Sequence, residues 1–242
     1  MRLIANTHPG CKLEENQDHY RGGRLAGDTH WMVLCDGMGG TDSGGEASRM
    51  AVAFLAENIE RKIPDLSDEE EIKNFLLECA SRCSRLILER GENQDHPVVM
   101  GTTLVMAVVR GGLAQIVHAG DSRAYVLQKG NLRQVTHDHS VVQELLDSGK
   151  ITPEQAANHP NKNIITSALG VDAFAKTDYN EIRLGKGDML LLCSDGLTNM
   201  IKDTEIAWIL RETEFYHITT RLIERAVEAG GYDNITAAVL EN

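Results

Sequence analysis

Four aspartates follow short apolar runs in this chain, each where the run gives way to a glycine-rich or polar turn. They are Asp36 in WMVLCDGMGG, Asp121 in VHAGDSRAY, Asp195 in MLLLCSDGL and Asp233 in GGYDNIT. Carboxylates that converge at one end of a sheet repel one another unless cations lie between them, and all-oxygen sites suit Mg²⁺ or Mn²⁺. Asp-Gly after a strand is also a common turn signal, so each aspartate taken singly is more readily explained as a turn residue. Their repetition and their flanking residues favour a metal-dependent hydrolase.

The apolar pattern predicts the elements that would position these aspartates. Strands are predicted at 30–36, 101–110, 113–119, 122–128, 188–194 and 233–240. Long amphipathic helices are predicted over about 43–62 and 68–91. Two short helices are predicted within 138–158, the second with Thr152 as N-cap and Pro153 at its first position, and two more helices within 203–229.

The turns between the middle strands determine how those strands pair. Residues 101–135 contain Gly-Gly and Lys-Gly-Asn turns and leave no room for crossover helices, so these strands must pair antiparallel. Paired helices together with antiparallel strands predict an α+β fold. We expect a four-layer αββα sandwich, in which two antiparallel sheets are flanked by helix pairs.

Composition limits the classes of partner and the number of domains. The 242 residues contain no Pro-, Ser- or Gly-rich divider, which predicts a single domain over 1–242. A net charge of −12 disfavours nucleic acid and anionic membrane surfaces as the main partner. No apolar run approaches the roughly 18 residues of a membrane span. We therefore expect no nucleic acid, no membrane and a cytoplasmic protein.

The cysteines point to a reducing compartment. Five of them, at 11, 35, 79, 83 and 193, form no CxxC pair, so neither a disulfide framework nor a zinc ribbon is indicated. Cys79 and Cys83 fall on the apolar stripe of the second long helix, which favours core packing over metal or redox work.

A series of short motifs then runs along nearly the whole chain in a fixed order. It comprises Asn16-Gln17-Asp18, Asp36-Gly37-Met38-Gly39-Gly40, Glu46-Ala47-Ser48, Gly101-Thr102-Thr103, Gly120-Asp121-Ser122-Arg123, Thr136-His137-Asp138-His139-Ser140, Ile165-Thr166-Ser167-Ala168-Leu169-Gly170, Ser194-Asp195-Gly196 and Asp233-Asn234-Ile235-Thr236. In these motifs the chain resembles the metal-dependent protein phosphatases, the type 2C serine/threonine family, in its bacterial single-domain form. Any one motif is weak, whereas the ordered series is a specific signal.

The resemblance implies a metal centre of two Mn²⁺ or Mg²⁺ ions in a cleft at one end of the sheets. Position by position, Asp36 would bridge both ions, the Gly37 carbonyl would bind one, and Asp195 and Asp233 would complete the other. Asp18 would act through bound water. Bacterial relatives also hold a third, weaker ion, for which the resemblance implies Asp121 and Asp195.

The chemistry implied is hydrolysis by a water that the two ions share and deprotonate near neutral pH. It fits the lack of a convincing nucleophile motif, since no Gly-x-Ser-x-Gly occurs and no cysteine lies in a phosphate-cradling loop. Asn234, beside Asp233, is a candidate to orient that ligand.

Two positions depart from the family pattern. Many members carry a phosphate-binding arginine where this chain has Leu13, and the nearest cation is Lys12, which we predict to bind substrate more weakly unless Arg21 or Arg24 reaches in. If this stretch is a strand, Lys12 and Leu13 point to opposite faces. Met38 replaces a histidine that protonates the leaving group in some relatives, although methionine is common there in bacterial ones.

The other polar candidates are assigned structural roles. His137, His139 and His159 fall in a helical insertion at about 138–165 that family members use as a mobile flap. The triplet His137-Asp138-His139 resembles a set of three metal ligands, but imidazoles suit zinc better than the hard ions expected here. A surface or structural role is therefore favoured for these histidines. His118 is expected to be at least half-buried on its strand. For Arg123 we favour a salt bridge that positions Asp121 over phosphate binding.

The leading functional hypothesis is hydrolysis of phosphoserine and phosphothreonine in proteins, reversing a partner Ser/Thr kinase. The alternative is a catalytically weak phosphoprotein-binding regulatory module, motivated by the missing arginine, and a phosphatase for small phosphate esters stays open. Retention of every presumed metal aspartate argues against the binding module. Bacterial relatives of this size include the phosphatases associated with type VI secretion, to which the chain could belong.

Overall fold

The computed structural model describes residues 1–39, 43–94, 97–172 and 175–242, without the side chain of Ala157. Its strands are β1 (Arg2–His8), β2 (Asp18–Leu25), β3 (Thr29–Gly39), β4 (Met100–Thr102), β5 (Leu104–Arg110), β6 (Leu113–Ala119), β7 (Arg123–Gln128), β8 (Asn131–Gln134), β9 (Asp178–Arg183), β10 (Met189–Cys193) and β11 (Ile235–Glu241). Its helices are α1 (Ser43–Lys62), α2 (Glu69–Glu92), α3 (Val141–Asp147), α4 (Pro153–Ala157), α5 (Asp195–Thr198), α6 (Asp203–Glu212) and α7 (Ile218–Glu228).

The strands form two antiparallel sheets. One has the order β1-β11-β10-β7-β8, and the other has the order β2-β3-β5-β6-β9 with β4 paired to β3. Both sheets contribute to an apolar layer between them, which includes Met32, Leu34, Val105, Leu190 and Leu192. Sheet-on-sheet packing of this kind confirms the central two layers of the predicted sandwich.

Helices cover the two outer faces. Apolar residues of α1 and α2 bury against β3, β5 and β6, and those of α6 and α7 bury against β7, β10 and β11. Cys79 and Cys83 are buried in the first of these clusters, as expected from the apolar stripe. Burial raises the pKa of the Cys83 thiol, which suits packing and not reactivity. The four-layer αββα prediction is confirmed.

The predicted helix boundaries agree closely with the structure because their end signals are strong. The α2 helix starts after an Asp68 capping box closed by Glu71, and α4 starts after a Thr152 capping box closed by Gln155, with Pro153 at its first position. Two features of the second long helix differ from expectation, since Leu86 on its apolar stripe is 38% exposed and the helix runs to Glu92.

The strand predictions need three corrections. β3 does not end at Asp36 but continues to Gly39, because β4 pairs with its last residues. The single strand expected at 101–110 is broken at Thr103, whose N–H turns to the Asp36 carbonyl. The last strand starts at Ile235, so Asp233 precedes it. Gly40 of the glycine-rich motif lies outside the described residues.

Candidate metal centre

The first carboxylate pair forms across the β2–β3 ladder. Asp18 and Asp36 are register partners, so their side chains share one face of the sheet. Asp18 is 4% exposed, and its Oδ2 accepts hydrogen bonds from the Ser194 and Thr236 hydroxyls, each at 2.7 Å. Its Oδ1 is buried and has no hydrogen-bond partner among the residues that the structure describes. One oxygen is therefore fixed and the other is available to a ligand.

Asp36 is held by its backbone. The Thr102 hydroxyl and the Thr103 N–H both donate to the Asp36 carbonyl at 2.8 Å, and the Asp36 N–H donates to the Thr103 hydroxyl at 3.0 Å. The Thr103 hydroxyl also bonds that of Ser122, beside Asp121. The Gly101-Thr102-Thr103 motif thus fixes one aspartate and links it to a second.

Gly37 has no room for a side chain. A Cβ at this position would lie 2.3 Å from the Gly44 carbonyl oxygen and 2.8 Å from that of Gln17. The start of α1 therefore packs directly against the backbone that follows Asp36, which explains the glycine on each side of this contact.

Asp195 and Asp233 meet where α5 begins beside β11. A Cβ at Gly196 would lie 2.0 Å from the Asn234 carbonyl oxygen and 3.4 Å from the Asp233 Cβ. The Asn199 amide donates to Asp195 Oδ2 at 2.9 Å, whereas Asp195 Oδ1 is buried without a partner. Because α5 is only one turn long, the apolar pattern did not reveal it.

Asp121 completes the set from the turn before β7. Gly120 precedes it with φ +97°, and a Cβ there would lie 2.7 Å from the Thr103 side chain. The turn therefore needs glycine, and it brings the Asp121 carboxyl into electrostatic range of Asp36 and Asp195. Of the sequence-predicted carboxylates, Asp18, Asp36, Asp121, Asp195 and Asp233 all interact in one cluster.

The cluster is electrostatically strained. Burial, followed by repulsion from neighbouring carboxylates, raises the pKa of Asp18 and of Asp36 above the ordinary aspartate range. Burial and the charge of Asp195 likewise raise the pKa of Asp121. Burial and the charge of Asp233 raise the pKa of Asp195. The charge of Arg123 and the hydrogen bond from the Asn199 amide partly offset this rise in the pKa of Asp195.

These observations fit a site for hard cations. In the described part of the chain, no lysine or arginine forms a salt bridge with any of the five aspartates. Two of their oxygens are buried and unpartnered. Buried carboxylates are normally paired or bind metal, so divalent cations bound here would supply the missing charge and partners for these oxygens.

Arg123 lies beside this cluster but is paired elsewhere. Its guanidinium binds the Asp138 carboxylate through three contacts of 2.6–3.0 Å and donates to the Tyr125 hydroxyl at 3.0 Å. Burial disfavours its charge, but the Asp138 carboxylate outweighs burial and raises the pKa of Arg123. The expected salt bridge is present, and its partner is Asp138, not Asp121.

The loop of residues 9–17 is fastened to the Asp233 turn by Asn234. The Asn234 amide donates to the carbonyls of Pro9 and Glu15 at 2.9 Å, and its Oδ1 accepts from the Gln17 N–H at 2.8 Å. Asn234 therefore orients this loop beside Asp233. The stretch is not a strand, so the alternation considered for Lys12 and Leu13 does not apply.

Lys12 lies in this loop near Asp233. Its Nζ is 5.8 Å from the centroid of the Tyr232 ring, and the adjacent Cys11 N–H donates to the Gly231 carbonyl at 2.6 Å. Arg21 pairs with Glu60 and Arg24 with Asp28, both at the surface. Of these three cations, Lys12 is thus the one that lies next to the Asp233 turn.

The His137-Asp138-His139 triplet does not form a metal trio, because its side chains diverge. His137 is at the surface with Asp147, Asp138 binds Arg123, and His139 is buried against Asp178. A different group, His118, His139 and Asp178, has potential ligand atoms within 4.8 Å of one another. Its hydrogen bonds engage both nitrogens of His139, which argues against a metal there.

The remaining histidines are structural or peripheral. His118 is fully buried, as expected, and its Nε2 donates to the His137 carbonyl at 2.8 Å. His159 accepts from the Asn161 N–H within the segment after α4. No local sequence pattern predicts the hydrogen bonds of His139 to Gly120 and Asp178, because these partners are distant in sequence.

Comparison with known proteins agrees with this geometry. Residues 12–238 match the family model described as Protein phosphatase 2C. The serine/threonine phosphatase stp of Listeria welshimeri is 40% identical over 211 residues, which cover 87% of this chain and 83% of that protein. The Streptococcus agalactiae serine/threonine phosphatase structure has a TM-score of 0.93 at 34% identity, covering 100% of this chain and 99% of that one.

Two further solved structures are similar to this chain, and their descriptions name bound metal ions in one case and a secretion system in the other. The catalytic domain of the phosphatase PstP, solved with two manganese ions, has a TM-score of 0.84 at 33% identity, covering 99% of this chain and 97% of that one. PppA, described as a regulatory component of type VI secretion in Pseudomonas aeruginosa, has a TM-score of 0.85 at 32% identity over 98% of this chain and 96% of that one. The family match spans almost all of the sequence, and the fold and the carboxylate cluster agree with it. The chain therefore belongs to the protein phosphatase 2C family.

Proposed function

We propose that the carboxylate cluster is the active site of a metal-dependent phosphatase that hydrolyses phosphoserine and phosphothreonine in proteins. Family membership and similarity to named serine/threonine phosphatases make the chain an enzyme of this class. The observation that carries the proposal is the convergence of five aspartates from separate segments around two buried, unpartnered carboxylate oxygens.

Asp36, Asp195, Asp233 and the Gly37 carbonyl would hold two divalent ions, with Asp36 shared between them, Asp195 and Asp233 on one ion and Gly37 on the other. Asp18, fixed by the Ser194 and Thr236 hydroxyls, would act on an ion through bound water. Asp121 and Asp195 form a third, weaker site. Two divalent ions, Mn²⁺ or Mg²⁺, would lower the pKa of a shared water and neutralise charge on the phosphoryl oxygens.

Substrate binding is assigned to the rim of this centre. Lys12 is the proposed phosphate contact, because Asn234 holds its loop against the Asp233 turn. The segment at about 138–165, which contains α3 and α4, is the proposed flap. It faces the centre across a cavity of about 310 Å³ whose walls include Asp121, Asp195 and Lys162.

The partner and the cellular location of the protein are predictions that follow from this chemistry. A phosphatase for proteins opposes a Ser/Thr kinase, which is the proposed partner. No helix among the described residues has the length and apolar character to cross a bilayer. The absence of nucleic acid and membrane partners, a cytoplasmic location and a link to type VI secretion also remain predictions.

The test is a phosphatase assay with phosphopeptides and with p-nitrophenyl phosphate, across a Mn²⁺ titration. Asp36→Ala and Asp233→Ala should each abolish turnover, whereas Asp65→Ala, which changes an exposed aspartate after α1, should not. Turnover that persists in excess chelator would contradict the metal mechanism. Phosphopeptide binding without turnover would indicate a binding module. Turnover confined to p-nitrophenyl phosphate would indicate a phosphatase for small esters.

A further inference from the structure

His139 connects the Asp121 turn to both ends of the proposed flap. Its backbone N–H donates to the Gly120 carbonyl at 2.9 Å, and its carbonyl accepts from the Thr166 N–H at 2.8 Å. The next residue, Ser140, pairs with Ile165 in an isolated bridge. One residue therefore joins the start of the segment, its end and the turn that carries Asp121.

The imidazole adds a directional hydrogen-bond chain. The Gly120 N–H donates to His139 Nδ1 at 3.3 Å, so Nδ1 must carry a lone pair and no proton. The proton is then on Nε2, which donates to Asp178 Oδ2 at 3.1 Å. The chain runs from Asp178 on β9 through the buried ring of His139 to the backbone N–H just before Asp121.

The ring has little freedom to leave this orientation. His139 is 3% exposed, and its ring stacks on that of His118 with centroids 4.8 Å apart and an interplanar angle of 22°. The His118 ring is itself fixed by its bond to the His137 carbonyl. The tautomer also leaves His139 no nitrogen for a metal ion without loss of its bond to Gly120 or to Asp178.

We propose that His139, oriented by Asp178, is a positioning residue for Asp121. The inference rests on the proposed function, in which Asp121 binds an ion. Gly120 is held from one side by Thr103, against which no Cβ would fit, and from the other by the imidazole. Without the Nδ1 acceptor, a buried N–H loses its partner, and the turn must shift to satisfy it. Such a shift moves the adjacent Asp121 carboxyl.

Four variants separate positioning from packing. His139→Phe keeps a ring but removes the acceptor, whereas His139→Asn restores an acceptor close to the position of Nδ1. Asp178→Ala removes the group that fixes the tautomer, and Asp178→Asn keeps an acceptor for the Nε2–H. The matched control is His137→Asn, because the His137–Asp147 pair lies at the surface of the same segment.

Two measurements are made on metal-free and Mn²⁺-titrated protein. Long-range ¹H–¹⁵N correlation spectra should show the Nε2–H tautomer of His139 in the wild type and in Asp178→Asn, and a loss of that preference in Asp178→Ala. Mn²⁺ calorimetry should show that the step abolished by Asp121→Asn is weakened about tenfold or more in His139→Phe and Asp178→Ala, the range typical of groups that orient metal ligands. His139→Asn, Asp178→Asn and His137→Asn should stay close to wild type.

The outcomes distinguish this inference from the proposed function. Unaltered Mn²⁺ binding in folded His139→Phe and Asp178→Ala would overturn the positioning role while leaving the phosphatase intact. If the wild-type protein shows neither Mn²⁺ binding nor turnover, the proposed function is wrong, and this inference, which rests on it, is wrong as well. If His139→Phe does not fold, the wild-type tautomer and the Asp178 variants decide, and an Nδ1–H tautomer in the wild type overturns the inference.

Discussion

Asp18 and Asp36 lie directly opposite each other across the β2–β3 ladder, and both are buried. Like charges at paired positions destabilise a sheet. The Ser194 and Thr236 hydroxyls stabilise the Asp18 carboxylate but leave its second oxygen unpartnered. This carboxylate pair therefore lowers the stability of the metal-free fold where β2 and β3 pair.

Asp18→Asn should stabilise the metal-free protein at pH 8 and abolish tight Mn²⁺ binding. Burial raises the pKa of Asp18 from 3.8 to about 7. Because the pKa is higher in the folded state than in the unfolded state, the contribution to stability is complete below the unfolded-state pKa. It is lost as the pH rises through the folded-state pKa. At pH 8 that loss is complete, and for a pKa shift from 3.8 to about 7 at about 1.4 kcal/mol per unit it is on the order of 4 kcal/mol.

Urea unfolding in EDTA measures this effect. The Asn variant should exceed wild type in free energy of unfolding at pH 8, and the difference should fall by more than half at pH 5. Equal or lower stability of the variant at pH 8 would refute the repulsion argument. Asp65→Asn, at the surface, serves as the control.

Mn²⁺ affinity should fall as the pH is lowered from about 8 to about 6. Burial and neighbouring charge raise the pKa of Asp121 to about 8 and that of Asp195 to about 6, so both bind protons in the metal-free state over this range. Ions must then displace protons from their ligands. Calorimetry in buffers of different ionisation enthalpy should detect this proton release near pH 7. A dissociation constant that does not change between pH 6 and 8 would contradict the prediction.

The sequence predicts central and edge strands with different success. Three strands with no counterpart among the predictions, β2, β8 and β9, lie at sheet edges. Their residues, as in DYNEIR of β9, are largely polar and partly exposed, so no apolar alternation marks them. Central strands such as β6 are buried along their whole length and give clear apolar runs.

The site shows the same division. Asp36, Asp121, Asp195 and Asp233 follow apolar runs and could be identified from the residues themselves. Asp18 begins an edge strand and could be assigned only through the family resemblance. The contact of His139 with Gly120 joins residues from two segments, and no local pattern encodes such a hydrogen bond.

Arg123→Met should destabilise the protein. The side chain of Asp138 is 7% exposed, and the variant leaves this buried carboxylate without its cation. Breaking a buried pair by removing one partner costs about 3–5 kcal/mol. The Tyr125 hydroxyl, which donates to Asp203, also loses a donor.

Chemical unfolding of Arg123→Met beside Arg21→Met measures the difference. The exposed Arg21–Glu60 pair should contribute less than about 1 kcal/mol. The double variant Arg123→Met with Asp138→Leu should recover part of the loss, because no unpaired charge is then buried. Failure of this rescue would mean that Arg123 acts by other contacts than the Asp138 pair.

Lys12→Ala should raise KM for phosphopeptides severalfold with little change in kcat, because a solvated lysine supplies charge equally to the bound substrate and to the transition state. Leu13→Arg should have the opposite effect on KM, since a guanidinium can bind two phosphoryl oxygens where an ammonium binds one. Arg24→Ala, on the exposed Arg24–Asp28 pair, is the control and should match wild type. Steady-state kinetics at saturating Mn²⁺ measure all three. If Lys12→Ala and Arg24→Ala are indistinguishable, Lys12 does not contact substrate, and the loop that Asn234 fastens to the Asp233 turn serves the metal centre alone.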